Sequence, residues 1–347
     1  MNTTAEFFVG VDLHKTVVQA CVLDRAGGVV DEITARVENR TAGEAVIARL
    51  DPYLVAGRLA VEAIGVNRWF VNRLLELGRD VVICDPTKLN LKVLGKKTDR
   101  RDAFEIARRL QLGDIDRNAT TYYPCDDEYG KRKVIRIRQK LVRMRQQLIN
   151  QVRALLNAYK ISGFPGRLTS QRNLAALAQL ELATPELTVA LQTCVSLLGS
   201  YTQAINDLDR RIEELVEAAL PTHLRQLPSV GALTALILVH ELGDVRRFKN
   251  AKAAASYAGL VPRVNQSADK AHHGALTKRG NRELRHILGE WAVRLLARNP
   301  LVRDWARNRL RRSHKNKVRM ALARRLIIGV YKMLRTGECF SLERCLN

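Results

Sequence analysis

Two acidic side chains stand late in apolar segments of the sequence, where a carboxylate is costly to bury. Asp12 lies inside the apolar run at residues 7–13, and Glu62 lies near the end of a second run at residues 58–63. A buried carboxylate is stable only when it is paired, protonated or bound to a metal ion. These residues therefore either mark strand ends at turns or carry a ligand.

A third acidic pair lies at the start of a predicted helix. Asp99 and Asp102 are three residues apart, a spacing that puts both carboxylates on one helix face. The pair could instead cap the helix, with Asp99 as the N-cap and Asp102 at position N3. Taken together, the four carboxylates come from two strands and one helix, and they could converge on hard divalent cations, which prefer oxygen ligands. Two metal ions held in this way would activate a nucleophile and stabilise the leaving oxygen in phosphodiester chemistry.

The elements around these residues predict an α/β domain. Residues 6–13, 16–24 and 28–37 are rich in apolar and β-branched side chains, and a turn signal at residues 25–28 separates the last two, as is typical of an antiparallel meander. Helical and strand-like segments then alternate: helix 43–55, strand 58–63, helix 67–78, strand 80–86 and helix 99–112. This order indicates an α/β domain over roughly residues 1–120.

The order of the acidic residues narrows the fold class. A meander aspartate, a fourth-strand glutamate and a helical Asp-x-x-Asp pair follow the layout of an RNase H-like nuclease. Actin-like sugar kinases begin with a similar meander and aspartate, but they continue with small residues in a D-x-G-x-T pattern. Here Asp12 is followed by Leu13-His14-Lys15-Thr16, without glycine, which argues against a kinase.

The composition indicates an anionic polymer as the partner. The chain has 347 residues, a formal net charge of +23 and a sequence pI of about 10.3, which predicts binding to nucleic acid or to an anionic membrane. No apolar run reaches the length of a membrane span, and the N-terminus does not resemble a signal peptide. The six cysteines show no zinc spacing, so we expect reduced thiols in a cytoplasmic protein.

Two long helices are predicted in the middle of the chain. Residues 131–153 contain nine basic and no acidic residues. Apolar residues of this helix keep heptad a and d spacing, with Gln151 the one polar d position: Val134, Ile137, Leu141, Met144, Leu148 and Leu155. A second helix carries Leu191, Cys194, Leu198, Tyr201, Ile205, Leu208, Ile212 and Leu215 at the same spacing. The pattern fits a coiled-coil arm and an ordinary amphipathic bundle equally well.

The last part of the chain reads as mostly helical and basic. Residues 271–347 contain 19 Lys and Arg against five Asp and Glu. LPSVG at residues 227–231 resembles the hairpin of helix-hairpin-helix modules, although a simple turn between helices explains it as well. A polar loop at residues 265–281 contains Ser267 and Thr277, which are equal candidates for a nucleophile on chemistry alone.

The basic runs at residues 131–153 and 303–325 are predicted to contact phosphates, because the first has no acidic residue and the second has only Asp304. The predicted nucleic-acid-binding residues are Lys131, Arg132, Lys133, Arg136, Arg138, Arg143, Arg145, Lys278, Arg279, Arg285, Arg311 and Arg312.

Over essentially its whole length, the chain resembles the DEDD-type insertion-sequence transposases, which are relatives of the pilin-gene invertases. The resemblance rests on GVDLHK, VEAIG, the KTDRRDA block, LPSVG, YAGLVPR, QSADK and LTKRGNRELR, which fall in the order and spacing of the family. It implies a RuvC-like (RNase H-like) catalytic domain at residues 1–125, a helical coiled-coil arm at 126–220 and a mostly α-helical transposase domain at 221–347. The chain departs from the family pattern at three places. Ala268 stands in place of a glycine, and His272-His273-Gly274 stands in place of a commoner Arg-Gly. Ile64 and Asn67 replace the Thr and Tyr that are common just after the strand-four glutamate.

The resemblance also implies the chemistry. Asp12, Glu62, Asp99 and Asp102 would be the tetrad that binds Mg²⁺, and Ser267 would be a nucleophile that joins covalently to DNA. The expected partners are donor and target DNA, a structured noncoding guide RNA and further copies of the chain, as a dimer or tetramer in the prokaryotic nucleoid. The alternatives are a Holliday-junction nuclease that uses the tetrad without the serine, and a basic nucleic-acid-binding protein without activity.

Overall fold

The computed structural model describes residues 5–63, 65, 67–85, 88, 98–219, 224, 227–267, 270–276 and 280–347. Contacts divide the chain into two compact units, Met1–Tyr123 and Pro124–Asn347. The further division of the second part into an arm and a C-terminal domain stays a prediction.

Unit 1 is built on a five-stranded mixed sheet. Its strands are β1 (Phe7–Leu13), β2 (Val17–Asp24), β3 (Val29–Arg36), β4 (Gly57–Glu62) and β5 (Asp80–Cys84), in the order β3-β2-β1-β4-β5. β1, β2 and β3 form the predicted antiparallel meander, whereas β4 and β5 run parallel to β1. The α/β prediction for this part of the chain is confirmed, and the strand order and directions are consistent with an RNase H-like fold.

Helices cover both faces of this sheet. They are α1 (Arg40–Leu54), α2 (Arg68–Glu76) and α3 (Asp99–Gln111), with a short π-helix at Ile115–Ala119. On one face, alternate β1 residues such as Val9 and Val11 pack with apolar residues of α1 and α2. On the other face, Ala60 and Cys84 pack with Ile106 of α3.

α3 lies directly against β1 because Gly10 has no side chain. A Cβ atom at Gly10 would stand 2.2 Å from the backbone oxygen of Ala103 and 2.2 Å from the backbone nitrogen of Ala107. No rotamer change relieves a clash with backbone, so any larger residue would push α3 away from the sheet. Gly10 therefore determines how close α3 comes to the neighbouring Asp12.

Thr98, not Asp99, caps α3. The Thr98 side chain accepts a hydrogen bond from the backbone N–H of Arg101 at 3.3 Å, and the helix begins at Asp99. The interpretation of Asp99 as the N-cap is therefore wrong, because the threonine hydroxyl one residue earlier already satisfies the free N–H group. Asp99 and Asp102 both lie in the first turn, where the helix dipole stabilises negative charge.

Unit 2 is mostly helical. Its helices are α4 (Asp126–Ala158), α5 (Gln171–Ala178), α6 (Pro185–Ala219), α7 (Ala232–Leu242), α8 (Ala251–Tyr257), α9 (Arg282–Arg298), α10 (Pro300–Arg312), α11 (Lys315–Thr336) and α12 (Leu342–Leu346), with a 3₁₀ turn at Val245–Arg247. Trp291 of α9 is fully buried in the main core, which α7, α9 and α11 share.

α4 and α6 are two long helices that pack antiparallel to each other. Near one end Ile135 packs with Ile212, and near the other Val152 packs with Leu198. The predicted heptad stripe of α6 is used in this packing, since Leu191, Leu198, Ile205 and Ile212 are all buried. The two long helices are as predicted, but a coiled-coil arm is not established by this pairing.

The buried stripe of α4 differs from the predicted one. The buried residues are Arg132, Ile135, Gln139, Val152 and Leu156, whereas Ile137 of the predicted stripe is 47% exposed. The predicted stripe is nevertheless used in part, because Val134, Leu148 and Leu155 pack against the cores. Polar and charged side chains occupy the rest of the buried line, which an apolar pattern does not show.

The predicted polar loop at residues 265–281 contains strand structure instead. β6 (Pro262–Ser267) and β7 (Lys270–Leu276) pair antiparallel, and Ser267 is opposite Lys270. Polar residues hid these strands from an apolar periodicity, although backbone pairing does not require apolar side chains. Within the described part of the chain, no helix combines the length and the apolar character that a bilayer span requires.

Candidate functional site

The carboxyl ends of β1 and β4 bring Asp12 and Glu62 to one edge of the sheet. The two strands are parallel neighbours with Val11 opposite Val61, so Asp12 and Glu62 follow at the same level. Because side chains alternate along a strand, Asp12 shares the face of Gly10, against which α3 packs. Asp12 is 5% exposed and Glu62 is half-buried.

The first turn of α3 brings two further carboxylates to this edge. Ala103 and Ala107 lie over Gly10, so the N-terminal turn of α3 lies towards the carboxyl end of β1. Asp102 is buried, whereas Asp99 is largely exposed. The structure brings Asp99 close to the end of β1, where His14 links it to Asp12. That Glu62 and Asp102 share one metal site with them stays a prediction.

His14 joins two of these carboxylates, and the sequence interpretation missed it. Its Nε2 atom lies 3.3 Å from Oδ2 of Asp12 and 3.3 Å from Oδ1 of Asp99. One ligand atom from each of the three residues lies within 4.8 Å of the other two. A signal was available, because His14 follows Asp12 by two residues and histidine is the commonest metal ligand among side chains.

The donor spacing fits a divalent cation. Ligands bound to one octahedral ion at about 2.1 Å lie about 3 Å apart when adjacent, close to the two distances that involve His14. Two carboxylates and one imidazole suit Mn²⁺ as well as Mg²⁺, because imidazole is a good ligand for transition metals. Asp12, His14 and Asp99 could therefore hold a metal ion, while the role of Glu62 and Asp102 as ligands stays a prediction.

The same edge of the sheet concentrates negative charge. Burial, with smaller contributions from the charges of Glu62 and Asp85, raises the pKa of the Cys84 thiol to about 12. Cys84 is therefore a protonated packing residue at neutral pH, not a thiolate ligand.

Asn67, which is buried, donates from Nδ2 to the backbone oxygen of Glu62 at 2.9 Å and so holds the end of β4 in place.

Ser267 is the last residue of β6, next to the connection to β7. This places the predicted nucleophile at the tip of a hairpin in unit 2. Thr277, Lys278 and Arg279 lie outside the described residues, so their predicted roles stay predictions.

Several arginines of the basic helix α4 are engaged within unit 2. Arg136 makes a bidentate ion pair with Glu241 at 2.8 and 2.7 Å, and Arg138 makes one with Asp209 at 2.7 and 3.1 Å. Arg143 pairs with Glu283 at 3.2 Å. The acidic partners come from other helices, which a scan of α4 alone does not detect.

The other predicted residues of α4 are also partly engaged. Arg132 is buried and donates from Nε to the backbone oxygen of His240 at 2.5 Å, and Lys131 pairs with Asp127 at 2.6 Å. Lys133 lies over the Tyr129 ring at 5.6 Å. Burial lowers the pKa of Arg145, and the nearby charge of Arg138 lowers it further. In α9, Arg285 donates to the backbone oxygen of Ala258 at 3.1 Å.

A more accessible basic surface lies where α10 meets α11. Every residue from 307 to 317 is exposed, and Arg311 and Arg312 belong to this stretch. It also contains Arg307, Arg309, Lys315 and Lys317, and we call residues 307–317 the basic corner. Its density of exposed cations suits phosphate contacts.

The segment LPSVG forms a turn before α7. Ser229 has a φ of 59°, a backbone conformation that favours glycine. Helix-hairpin-helix turns usually have a glycine at this position. The backbone oxygens of Pro228 and Ser229 accept hydrogen bonds from Trp291 and Arg294 at 2.8 and 3.2 Å. The turn is thereby tied to α9, and its proposed grip on phosphate stays a prediction.

A mixed sheet of this order, with carboxylates at the carboxyl edge of β1 and β4, is consistent with the class of RNase H-like catalytic domains. Comparison with known families agrees. A DEDD transposase model of the IS110 type matches residues 9–161, and the model described as "Transposase IS116/IS110/IS902 family" matches residues 222–307.

Similar proteins carry the same kind of name. The transposase for insertion sequence element IS1111A of Coxiella burnetii is 26% identical over 340 residues, which cover 96% of this chain and 90% of that protein. A probable family 20 transposase of Pseudomonas aeruginosa is 28% identical, with coverage of 96% and 98%. The pilin gene-inverting protein of Moraxella lacunata is 28% identical over 40% of this chain and 46% of its own length. The chain belongs to the IS110 family of insertion-sequence transposases.

Proposed function

We propose that this chain moves an insertion sequence by cutting and rejoining DNA, with metal-dependent chemistry in unit 1 and a covalent serine step in unit 2. The observation that carries the proposal is the meeting of Asp12, His14 and Asp99 at the carboxyl edge of the sheet. The family membership of the chain supports DNA as the substrate.

The residues of unit 1 would hold Mg²⁺ or a similar ion. Asp12, His14 and Asp99 are the proposed ligands with donor atoms already close together, and Glu62 and Asp102 are the further carboxylates at this edge. Such an ion polarises a phosphoryl oxygen and stabilises developing negative charge. The close contact between Gly10 and α3 would hold Asp99 near Asp12, while the exposed sides of His14 and Asp99 leave the site open to a DNA phosphate.

The proposed role of Ser267 is covalent. Its hydroxyl oxygen would form a bond to a DNA phosphorus atom while the bond to a deoxyribose oxygen breaks, and that oxygen leaves as a hydroxyl after taking a proton. A hydroxyl of the other DNA strand would then attack the same phosphorus and release the serine, which conserves the number of phosphodiester bonds. The basic residues close to Ser267 in the sequence would provide positive charge for the phosphate: Lys270, His272, Lys278 and Arg279.

The partners follow from the same proposal. Donor and target DNA would bind the basic surfaces of unit 2, a structured noncoding RNA would select the sites, and the active assembly would contain more than one copy of the chain.

Recombination by defined variants tests the proposal. Purified protein is incubated with donor and target DNA and Mg²⁺, with and without RNA transcribed from the DNA that flanks the coding region, and joined products are counted by sequencing. Asp102→Asn keeps the size of the side chain and removes its charge, so joining should fall by roughly a hundredfold or more. Asp207→Asn, on the exposed face of α6, is the matched control.

Ser267→Ala separates the proposal from its alternatives. It should abolish joining and leave DNA binding within about twofold, because one hydroxyl adds little to a phosphate-dominated interface. The wild-type protein should give a denaturation-resistant DNA adduct that mass spectrometry locates at Ser267. Metal-dependent cleavage without an adduct would instead indicate a junction nuclease, an adduct at Thr277 would move the nucleophile, and binding without cleavage would indicate a non-enzymatic protein.

A further inference from the structure

A groove in unit 2 lies along one side of α11. Its volume is about 1320 Å³, and its walls come from α11, the chain that leads into α12, and the ends of β6 and β7 where the hairpin begins. Pro262 and Leu276, which pair with each other at that end of the hairpin, both line it. The groove therefore borders the element that carries Ser267 at its other end.

The floor of the groove is apolar. Met320, Ile328 and Met333 of α11 line it, together with Leu260 and the aromatic ring of Phe340. Phe340 is held in place by Trp291, with the ring centroids 5.6 Å apart. An aromatic ring fixed at the edge of an apolar floor is a suitable surface for stacking a planar group.

The rim of the groove is cationic. Lys317, Arg324 and Lys332 follow one another along α11 at intervals of about two helical turns, so they lie on one side of that helix. None of these three makes an ion pair with another described residue of the chain. Lys317 also belongs to the basic corner, so the exposed positive surface of residues 307–317 leads directly into the groove.

The remaining charges of the lining are engaged. Arg344 pairs with Glu338 at 3.3 Å, and Glu338 is the one acidic residue among the described residues that line the groove. Arg325 donates to the backbone oxygen of Cys345 at 2.9 Å. The groove thus offers an apolar floor and three available positive charges to an anionic ligand that has apolar faces.

We propose that this groove binds unpaired nucleotides of a nucleic-acid strand. Nucleobases would lie on the apolar floor and against Phe340, and the phosphates would contact Lys317, Arg324 and Lys332. Paired bases are buried within the stack of a duplex and leave an apolar floor without an apolar partner, so the groove favours a single strand. The inference rests on the proposed function only in that the partner is a nucleic acid.

Filling the groove without changing its charge is the first test. Ala321 is exposed on α11 and lines the groove, so Ala321→Phe occupies the space while the cations remain. Affinity is measured by fluorescence anisotropy with an oligothymidylate and an oligouridylate of roughly ten nucleotides, and with a short mixed-sequence DNA duplex. Single-strand affinity should fall about tenfold or more, which is the loss of one or two stacked bases, and duplex affinity should change less than about twofold.

Two matched variants control for size and for charge. Ala154→Phe adds the same ring on an exposed face of α4 and should change neither affinity. Lys332→Glu should weaken single-strand binding more than Lys249→Glu, which makes the same charge change at an exposed position outside both basic runs. Thermal melting of each variant shows that the fold is retained.

The outcomes are distinguishable. Unchanged single-strand binding by Ala321→Phe, or equal losses for single strand and duplex, would overturn the groove as the binding site, as would a wild-type protein that binds neither oligonucleotide. A preference for the deoxyribose or the ribose strand would support the inference and show which polymer supplies the nucleotides. If the wild-type protein binds single strands in the groove but never joins DNA, the groove inference holds and the proposed function fails.

Discussion

At the scale of single residues, the position of His14 matters most for the proposed chemistry. Its Nε2 atom is equally distant from the carboxylates of Asp12 and Asp99, so one nitrogen links strand β1 to helix α3. A site made only of carboxylates would favour hard ions, whereas one imidazole extends the choice towards Mn²⁺. His14 is therefore expected to influence which metal the site accepts.

Replacement of His14 tests this expectation. His14→Ala should weaken Mn²⁺ binding about tenfold or more, and Mg²⁺ binding by a smaller factor, as isothermal titration of the full chain would show. His286→Ala removes an exposed histidine of α9 and should have no effect. Equal affinity for both ions in the wild-type protein and His14→Ala would mean that the carboxylates alone hold the metal.

At the scale of elements, an ion pair with a buried carboxylate connects three helices of unit 2. Glu241 of α7 is fully buried and accepts hydrogen bonds from Arg136 of α4 and from Nδ2 of Asn281 at 2.6 Å. Asn281 also caps α9 by accepting from the backbone N–H of Leu284 at 3.0 Å. The pair thus fixes the start of α9, just after the segment that follows β7.

The pH dependence of stability tests the role of Glu241. Burial favours its protonated form, but the hydrogen bonds from Arg136 and Asn281 outweigh burial and lower its pKa. The stability that ionised Glu241 gives the folded chain is therefore fully present above about pH 4.3, the pKa of an unfolded glutamate. It is lost as the pH falls through the lower pKa of Glu241 in the folded chain. Glu241→Gln should reduce the free energy of unfolding at pH 7 by about 1.5 kcal/mol, because Arg136 is half exposed and can be hydrated, and it should flatten the fall of stability in acid, measured by urea unfolding.

The matched control is Glu213→Gln, which changes an exposed glutamate of α6. It should leave both the unfolding free energy and its acid dependence within experimental error. An equal effect of the two substitutions would show that the buried pair contributes nothing specific.

The helix pair α4 and α6 offers a second test at this scale. Leu198 is fully buried against α4, whereas the adjacent Leu197 is 40% exposed. Leu198→Glu should lower the free energy of unfolding by more than about 3 kcal/mol, because it removes apolar packing and buries a charge. Leu197→Glu should cost less than about 1 kcal/mol. If Leu198→Glu only lowered the oligomeric state seen by light scattering and kept the stability of the chain, the stripe would serve assembly instead.

At the scale of the whole molecule, the basic residues behind the net charge of +23 are not equally available to bind phosphate. Arg136, Arg138 and Arg143 on α4 are paired with carboxylates of other helices, and these contacts reduce the charge that they can offer to phosphate. The basic corner at residues 307–317 is exposed along its whole length. We therefore expect the electrostatic part of nucleic-acid binding to depend more on the corner than on the basic run of α4.

The salt dependence of duplex binding distinguishes the two surfaces. Each lost phosphate contact should reduce the slope of log affinity against log salt by about 0.9, so the double change of Arg311 and Arg312 to Ala should reduce it by about 1.8. The double change of Arg136 and Arg138 to Ala should alter the slope less and lower the unfolding midpoint more, because it leaves Glu241 buried and unpaired. The reverse ranking would restore α4 as the main phosphate-binding surface.

The sequence alone determined the elements of unit 1 and the order of its acidic residues. Strands such as β1 and β4 follow from local patterns of apolar and β-branched side chains, which do not depend on distant contacts. The same local information placed Asp12 at a strand end and Asp99 at a helix start, and it supported the family resemblance that the comparisons confirm.

Tertiary structure decided which side chains meet. His14 reaches Asp99 only because α3 packs on Gly10, and this proximity is a property of two elements that are far apart in the chain. The same reason explains why the predicted stripe of α4 missed the buried Arg132 and Gln139, and why the charge of Arg136 is paired with Glu241 from another helix. The periodicity of apolar residues indicates which face of a single segment is buried. Packing between segments decides which charges pair and which side chains share a metal ion, so these contacts appear only when the chain is folded.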